Sequence, residues 1–543
     1  MTEASARPPV LPPGPEGFSF EWREPGDAEL SWEYDGMHFP SALTPLAADY
    51  AETMAQGFEY RYQRLGARME VLCHVWNGYA YFAARFGVPE AEIPALMDEM
   101  KEAKRRLFPT AAAYWDDQAI PELKATYAWI DGIDAASSEP DELAAAWTDA
   151  WARTLRAWCI HFFAISAPYQ VLNDLADRYE QLAPGASPGE AMRLIQGSVS
   201  ELQDVEAGIQ RLAAMGRDDP AVAAWLQADA AAQTDPPPAA FGAALSEFLE
   251  THGHLGQGWD DLALPSWWEE PRQLLAEMAK RLEQPPPRAE DRQRQLADDA
   301  ERLLEDLRAS LSDRAADLAE FELLLDVART IGPLTERHNY WIDRMAQAHL
   351  RRLVMRVAAR LVELGVIAQP DDVLFLRREE VPELLRAPRD SSVLVATRRA
   401  EHTRQCETTP PPYLGQPPDV GEGPADRFEG PQTATAGADE VQGVGASAGI
   451  ARGPARVALS QADFDRVQPG DVIVCPSSNP SWVPLFAIAA GLVTDVGGVL
   501  SHAAVVAREF GLPAVVGTRD GTTRIADGRM VEVDGSNGSV RLL

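Results

Sequence analysis

The chain has 543 residues, enough for two to four domains with large buried cores. Its 83 acidic and 49 Lys and Arg residues give a formal charge of −34, which argues against nucleic acid and anionic membrane surfaces as partners, since both attract basic patches. Its four cysteines, Cys73, Cys159, Cys406 and Cys475, are scattered without metal-ligand spacing, so neither a metal site nor a disulfide framework is expected.

In chain order, residues 1–20 are proline-rich and read as disordered, with no basic-then-apolar leader pattern. Cytoplasmic residence is the expectation. From about 45 to 365 apolar residues recur at helical spacing, giving candidate helices at 45–86, 90–106, 139–182, 188–215, 239–252, 290–331 and 334–364. Proline clusters at 235–238 and 285–287 punctuate them, and Gly365 is placed to end the last one. No part of this region alternates convincingly like a sheet. A strand-like piece at 372–376 and a small helix at 378–385 follow. Residues 405–440 are polar and turn-rich and read as a linker. Beyond 440 the pattern switches to short β runs at 455–459, 471–475, 514–516 and 530–533, alternating with helices near 461–467, 482–490 and 502–510. The fold class predicted is multidomain: a helical domain over 21–404, then a small α/β domain over 441–543.

Chemistry concentrates around His502. It follows Gly497-Gly498-Val499-Leu500-Ser501 and precedes the apolar run Ala503-Ala504-Val505-Val506-Ala507-Arg508. Glycines let the backbone turn tightly, Ser501 can cap a helix, and the helix N-terminus offers N–H groups and partial positive charge to an anion. A phosphoryl group suits that setting. A packed histidine capping an ordinary helix is the plainer reading of the same residues.

This run, continued by Gly511-Leu512-Pro513-Ala514-Val515-Val516-Gly517, resembles the phosphohistidine swivelling domain of the phosphoenolpyruvate-utilising enzymes. The stretches Gly443–Ile450, Gly453–Val457, Gly470–Val474 and Asn479–Phe486 look like further pieces of that domain, the last resembling the branch of rifampin phosphotransferase and phenylphosphate synthase. In the helical region, Thr251–Asp261 with Pro265-Ser266-Trp267 is a looser match, having Leu255 where arginine is usual and Trp259 where glutamate is usual. Trp32–Leu46 and Glu336–Asp343 resemble segments of the same branch.

The resemblance implies a dikinase-like phosphotransferase working through phosphorylated His502, with Gly497, Gly498, Ser501 and Arg508 supporting the phosphoryl group. His38, His254, Asp261, Glu336 and His338 are candidate acceptor-site residues, and the plainer reading of the histidines is a packed, hydrogen-bonded or surface-paired side chain. A Gly-x-x-x-x-Gly-Lys loop is absent, and lysine occurs only at 101, 104, 124 and 280. ATP with Mg²⁺ is therefore expected on a separate ATP-grasp partner, with no cofactor held tightly by this chain. The acceptor is expected to be a small-molecule alcohol or phenol bound by the helical domain. A phosphorylation-coupled dehydratase in a biosynthetic pathway, and a non-catalytic phosphohistidine carrier or regulatory protein, are the alternatives.

Overall fold

The computed structural model describes residues 18–36, 38–186, 188–196, 201–228, 235–256, 261–283, 285, 289–416, 439–459, 461–478 and 482–543. A large, mainly helical part precedes a small α/β domain, as the sequence predicts. The chain divides into two compact units. Met1–Ala164, Gly258–Pro265 and Trp341–Gly421 form one; Ile165–Gln257, Ser266–Tyr340 and Glu422–Leu543 form the other.

In the first unit the Thr44 side chain accepts from the N–H of Ala47 and Pro45 opens the helix Pro45–Arg64. The helix expected to run to residue 86 stops here. Met69–Trp76 and Tyr79–Phe86 instead form an antiparallel hairpin around Asn77-Gly78, whose φ values of 49° and 82° make the two-residue turn. The expectation of no sheet in this region is thus wrong. Aromatic and β-branched residues at 71, 75, 79, 81 and 82 favour the pleated surface. Ser31–Tyr34 pairs with the second hairpin strand, and Tyr413–Gly415 pairs with Ser31–Tyr34, completing a four-stranded antiparallel sheet. That last strand lies inside the stretch read as linker, most of which (417–438) is outside the described residues. Phe20 and Trp22 meet edge to face at 4.8 Å, and Trp22 meets Trp76 at 5.5 Å. Aromatic burial therefore orders residues 18–22, whereas 1–17 of the segment read as disordered lie outside the described residues.

The helix Pro140–Ala164 lies against Pro45–Arg64 so closely that a Cβ on Gly57 would come 2.8 Å from the Trp158 carbonyl carbon. Met345–Glu363 packs beside it. Gly365, with φ of 69°, ends that helix as expected. The strand expected at 372–376 is instead a short 3-10 helix, Pro370–Phe375. Pro370 favours the first turn, and Asp372 accepts from the backbone N–H groups of Ala368 and Gln369, both at 3.1 Å.

The second unit begins with Ser166–Leu182, so the helix expected over 139–182 is broken at Ile165. Glu201–Asp218, Ala239–His252, Arg272–Glu283, Ala289–Ser310 and Ala315–Ile331 follow. The expected 290–331 helix is therefore two. Its C-terminal domain holds an eight-stranded sheet in the order 440–442, 539–542, 530–534, 450–457, 472–475, 491–494, 514–516, 444–447. The four strands from 450–457 to 514–516 run parallel to their neighbours, and the flanking pairs are antiparallel. Apolar clusters cover both faces. One contains Val474, Val493, Val515 and Val533; the other contains Ile473, Phe486, Ala504, Ala507 and, from the helix Glu201–Asp218, Leu202. The expected helix over 482–490 is only one turn, Val483–Phe486.

Candidate active site

His502 is the first residue of the helix His502–Glu509, which follows the buried strand Gly491–Thr494. Gly497 has φ of 112°, and a Cβ there would lie 2.8 Å from Ser501 Oγ, so glycine is required at that turn. Ser501 is the N-cap: its Oγ accepts from Ala504 N–H at 3.4 Å and donates to the Gly498 carbonyl at 2.8 Å. These contacts fix the loop and deliver the His502 ring to the start of the helix.

The His502 side chain is 6% exposed, and its Nδ1 lies 2.9 Å from Oε2 of Glu336, itself 3% exposed. Glu336 stands on the one-turn helix Leu334–His338, just before a π-turn over Asn339–Arg344. Asn339 Nδ2 donates to the same Oε2 at 3.1 Å. A carboxylate can only accept, so Nδ1 of His502 carries the hydrogen of this contact. The pair therefore fixes ring orientation and puts Nε2 on the side of the ring away from the carboxylate.

The other residues singled out in the sequence take different places. Arg508 is buried and donates from Nη1 to the Ala446 carbonyl at 2.9 Å, tying the helix to the strand Val444–Ser447. Burial lowers its pKa to about 10, with Glu336 opposing that shift, so it stays cationic at neutral pH. His338 donates from Nδ1 to the Leu334 carbonyl at 2.6 Å. The His254 ring meets Tyr340 edge to face at 4.5 Å within a buried cluster. Residues 257–260 of the motif around it, and 479–481 of the motif near Phe486, are outside the described residues. In the first unit, Asp261 caps Ala263 N–H at 2.8 Å, and burial pushes its carboxyl upward. His38 places Nδ1 2.7 Å from Asp35 Oδ2, and its backbone N–H donates to Asp35 Oδ1 at 3.1 Å.

Sequence reasoning did not single out a second histidine–carboxylate pair in the first unit. His161 Nδ1 lies 2.6 Å from Asp343 Oδ1, with side chains 8% and 2% exposed. His161 interrupts an otherwise apolar face of Pro140–Ala164, between Trp158 and Phe162, and that was the available signal. His161, Asp343 and the His38–Asp35 pair all line one cavity of about 290 Å³.

Two segments match known families. Residues 467–538 match the mobile domain of PEP-utilising enzymes, and residues 161–336 match the fourth domain of rifampicin phosphotransferase. The whole chain aligns at 30% identity with chondramide synthase cmdD of Chondromyces crocatus, covering 14% of that protein. An uncharacterized phosphotransferase, YvkC, of Bacillus subtilis is 31% identical over 55% of this chain and 36% of its own length. Rifampicin phosphotransferase of the same organism is 31% identical over 55% of this chain and 34% of its own. The chain thus spans well under half the length of these relatives. No helix among the described residues is long and apolar enough to cross a membrane. The chain is thus similar to the PEP-utilising enzymes over its mobile-domain segment, and to rifampicin phosphotransferase over the segment ahead of it.

Proposed function

We propose that this chain is the histidine-bearing part of a dikinase-like phosphotransferase, in which His502 carries a phosphoryl group from ATP to the hydroxyl of a small molecule. The Glu336–His502 contact carries the reading. Nε2 attacks phosphorus, the P–O bond to the nucleotide breaks, and the electron pair leaves with the nucleotide. Glu336, accepting from Nδ1–H, neutralises the positive charge the ring acquires. In the second half-reaction the acceptor oxygen attacks phosphorus, the N–P bond breaks, its electron pair returns to Nε2, and a base takes the hydroxyl proton. Glu336 and Ser501 orient the ring, and Gly497 and Gly498 shape the turn a phosphoryl group must approach.

The ATP site belongs to a separate ATP-grasp partner in this reading. Mg²⁺ bound with the nucleotide there supplies charge neutralisation of the phosphates. The mobile domain travels between donor and acceptor on the segment 405–440. The names of two relatives, rifampicin phosphotransferase and an uncharacterized phosphotransferase, support the transfer chemistry.

The test is incubation with radiolabelled ATP and an ATP-grasp partner, followed by mapping of acid-labile label. Label on the wild-type chain and none on His502→Ala is the expected result. Label that persists in His502→Ala overturns the reading.

A further inference from the structure

The second unit holds a cavity of about 430 Å³ where the first turn of the helix Ala289–Ser310 faces the mobile domain. Small-molecule sites run from roughly 300 to 1,000 Å³. Most of the wall belongs to the mobile domain, with Phe486, Ile488, Phe510 and Leu512 as its larger apolar groups; Pro285 and Arg292 close it from the helical side. Arg292 is the one polar side chain among the described residues of that wall. The backbone N–H groups of Gly470, Ala490, Gly511 and Leu512 all donate to carbonyls of the mobile domain itself, at 2.8–3.1 Å. Arg292 is half-buried, and a Cβ on Gly511 would lie 3.9 Å from its Cγ, so its stem runs against the mobile domain. Its guanidinium carbon is 5.7 Å from the centre of the Phe510 ring. Burial lowers the pKa of Arg292; Glu206 opposes that shift and Arg281 adds to it. Glu206 is already held by Arg281 at 2.9 Å, and Arg292 makes no ion pair of its own among the described residues. A cation that has lost part of its water with no counter-ion in contact is a cost that an anion would offset. Two arginines and one carboxylate leave one positive charge over, so a single negative charge balances the group and a dianion overshoots it.

We propose that this cavity binds a monocarboxylic acid with an apolar body, and that the bound acid holds the mobile domain in its docked position. The carboxylate sits on Arg292, whose guanidinium offers two parallel N–H donors that match it. The body lies against Phe486, Ile488, Phe510 and Leu512. A polar body is rejected, because no other side chain of the wall replaces the water it would lose. The ligand touches both sides of the docking interface, so it binds the docked arrangement and not the free mobile domain, and mass action then favours docking. This clamp is separate from the chemistry of His502: Phe510 and Leu512 lie beyond the opposite end of the helix His502–Glu509, about 12 Å along its axis at 1.5 Å per residue. The effect on phosphoryl transfer rests on the carrier reading above; the binding itself does not.

The probe is 2-naphthoate, titrated calorimetrically into the full chain. It is expected to bind saturably, and its neutral counterpart 2-naphthylmethanol roughly tenfold or more weakly, because the charge-assisted bond is lost. 2-Naphthyl phosphate, a dianion above about pH 7, is expected to bind no more tightly than the acid. Arg292→Gln should keep the fold by circular dichroism and bind acid and alcohol alike, and Arg292→Lys should restore part of the preference. Ala489→Trp, at a half-buried wall position, should weaken both ligands. No saturable binding by the wild type, equal affinity for acid and alcohol, an unchanged preference in Arg292→Gln, or undiminished binding in Ala489→Trp overturns the site. Labelling of His502 from ATP with the ATP-grasp partner is measured on the same preparations. With the acid at ten times its Kd, labelling should slow about tenfold in the wild type and be insensitive to the acid in Arg292→Gln. Equal rates with and without bound acid overturn the clamp. Label on His502 without acid binding refutes this site and leaves the carrier reading standing. Selective acid binding with no label on His502 refutes the carrier reading and leaves the carboxylate site standing.

Discussion

Replacing Glu336 by Gln tests the link between the mobile domain and its chemistry most directly. Glu336 Oε2 lies 2.9 Å from His502 Nδ1 and 3.1 Å from Asn339 Nδ2, and both acid and ring are nearly inaccessible to water. Glutamine keeps the size and one acceptor atom, so the fold should survive. It removes the negative charge, and it permits an amide N–H to face the ring, which favours hydrogen on Nε2 instead of Nδ1. A charge-assisted hydrogen bond of this kind contributes about 1.5–3 kcal/mol, equivalent to roughly ten- to a hundredfold in rate. The assay needs no partner protein: phosphoramidate phosphorylates histidine directly, and acid-labile label on His502 is followed with time. We expect Glu336→Gln to label about ten- to a hundredfold more slowly than wild type at equal melting temperature. Nitrogen NMR of the labelled imidazoles should show the His502 hydrogen leaving Nδ1 in the variant. Wild-type labelling with an unchanged tautomer would refute the argument that Glu336 selects Nε2.

Three further outcomes follow from the packing. Gly497→Ala forces a side chain into φ of 112° and against Ser501 Oγ; it should cost about 1–3 kcal/mol in urea unfolding and slow His502 labelling through the displaced cap. Arg281→Ala leaves Glu206 buried without its 2.9 Å partner and should destabilise by about 3–5 kcal/mol, whereas the double change Arg281→Met with Glu206→Gln should recover most of that loss in thermal denaturation. Asp49 has its pKa raised to about 6, by burial first, against the Arg377 and Arg378 contacts that lower it. Its folded value exceeds its unfolded one, so the stability it contributes is present below about pH 4 and is lost as pH rises through about 6. Asp49→Asn should therefore gain on wild type between those pH values, by at most about 3 kcal/mol, in urea titrations at each pH.

The mobile domain was legible because its signals are local. A glycine pair, a serine cap and an apolar helix lie within a dozen residues of His502, and each does in the structure what its side chain suggests. The acid was half legible: Glu336 stood in a segment similar to the family, but its partnership with His502 depends on tertiary packing. The hairpin was missed for a physical reason. Both faces of Met69–Trp76 are partly covered, so its apolar residues do not alternate cleanly, and Asn77-Gly78 was the stronger clue. His161 and Asp343 are far apart in sequence, and each alone is an unremarked polar residue in an apolar helix context. Their meaning comes from the 2.6 Å contact and the shared cavity, which no spacing rule encodes.

The way the mobile domain is fastened bears on whether it can move. Arg281 Nη2 donates to the Pro484 carbonyl at 2.8 Å, Lys280 Nζ to the Phe464 carbonyl at 3.0 Å, and Gln196 Nε2 to the Arg508 carbonyl at 3.2 Å. In each case the mobile domain supplies a neutral backbone acceptor. The charges are balanced on the helical side: Arg281 pairs with Glu206, and Lys280 with Glu277 at 2.8 Å. Undocking therefore breaks hydrogen bonds worth about 0.5–1.5 kcal/mol each without stranding a buried ion, a cost several-fold below that of opening a buried salt bridge. Leu202 adds apolar area to the same interface, which makes docking favourable but not fixed. The Glu336–His502 contact is different, because it joins a carboxylate to the ring proposed to take up the phosphoryl group. Phosphorylation at Nε2 would bring a dianion close to Glu336, weakening this docked position after the first half-reaction. Neutral backbone ties, with the charge-sensitive contacts gathered at Glu336, are the combination the proposed carrier domain needs to be held while it reacts and released once it is loaded.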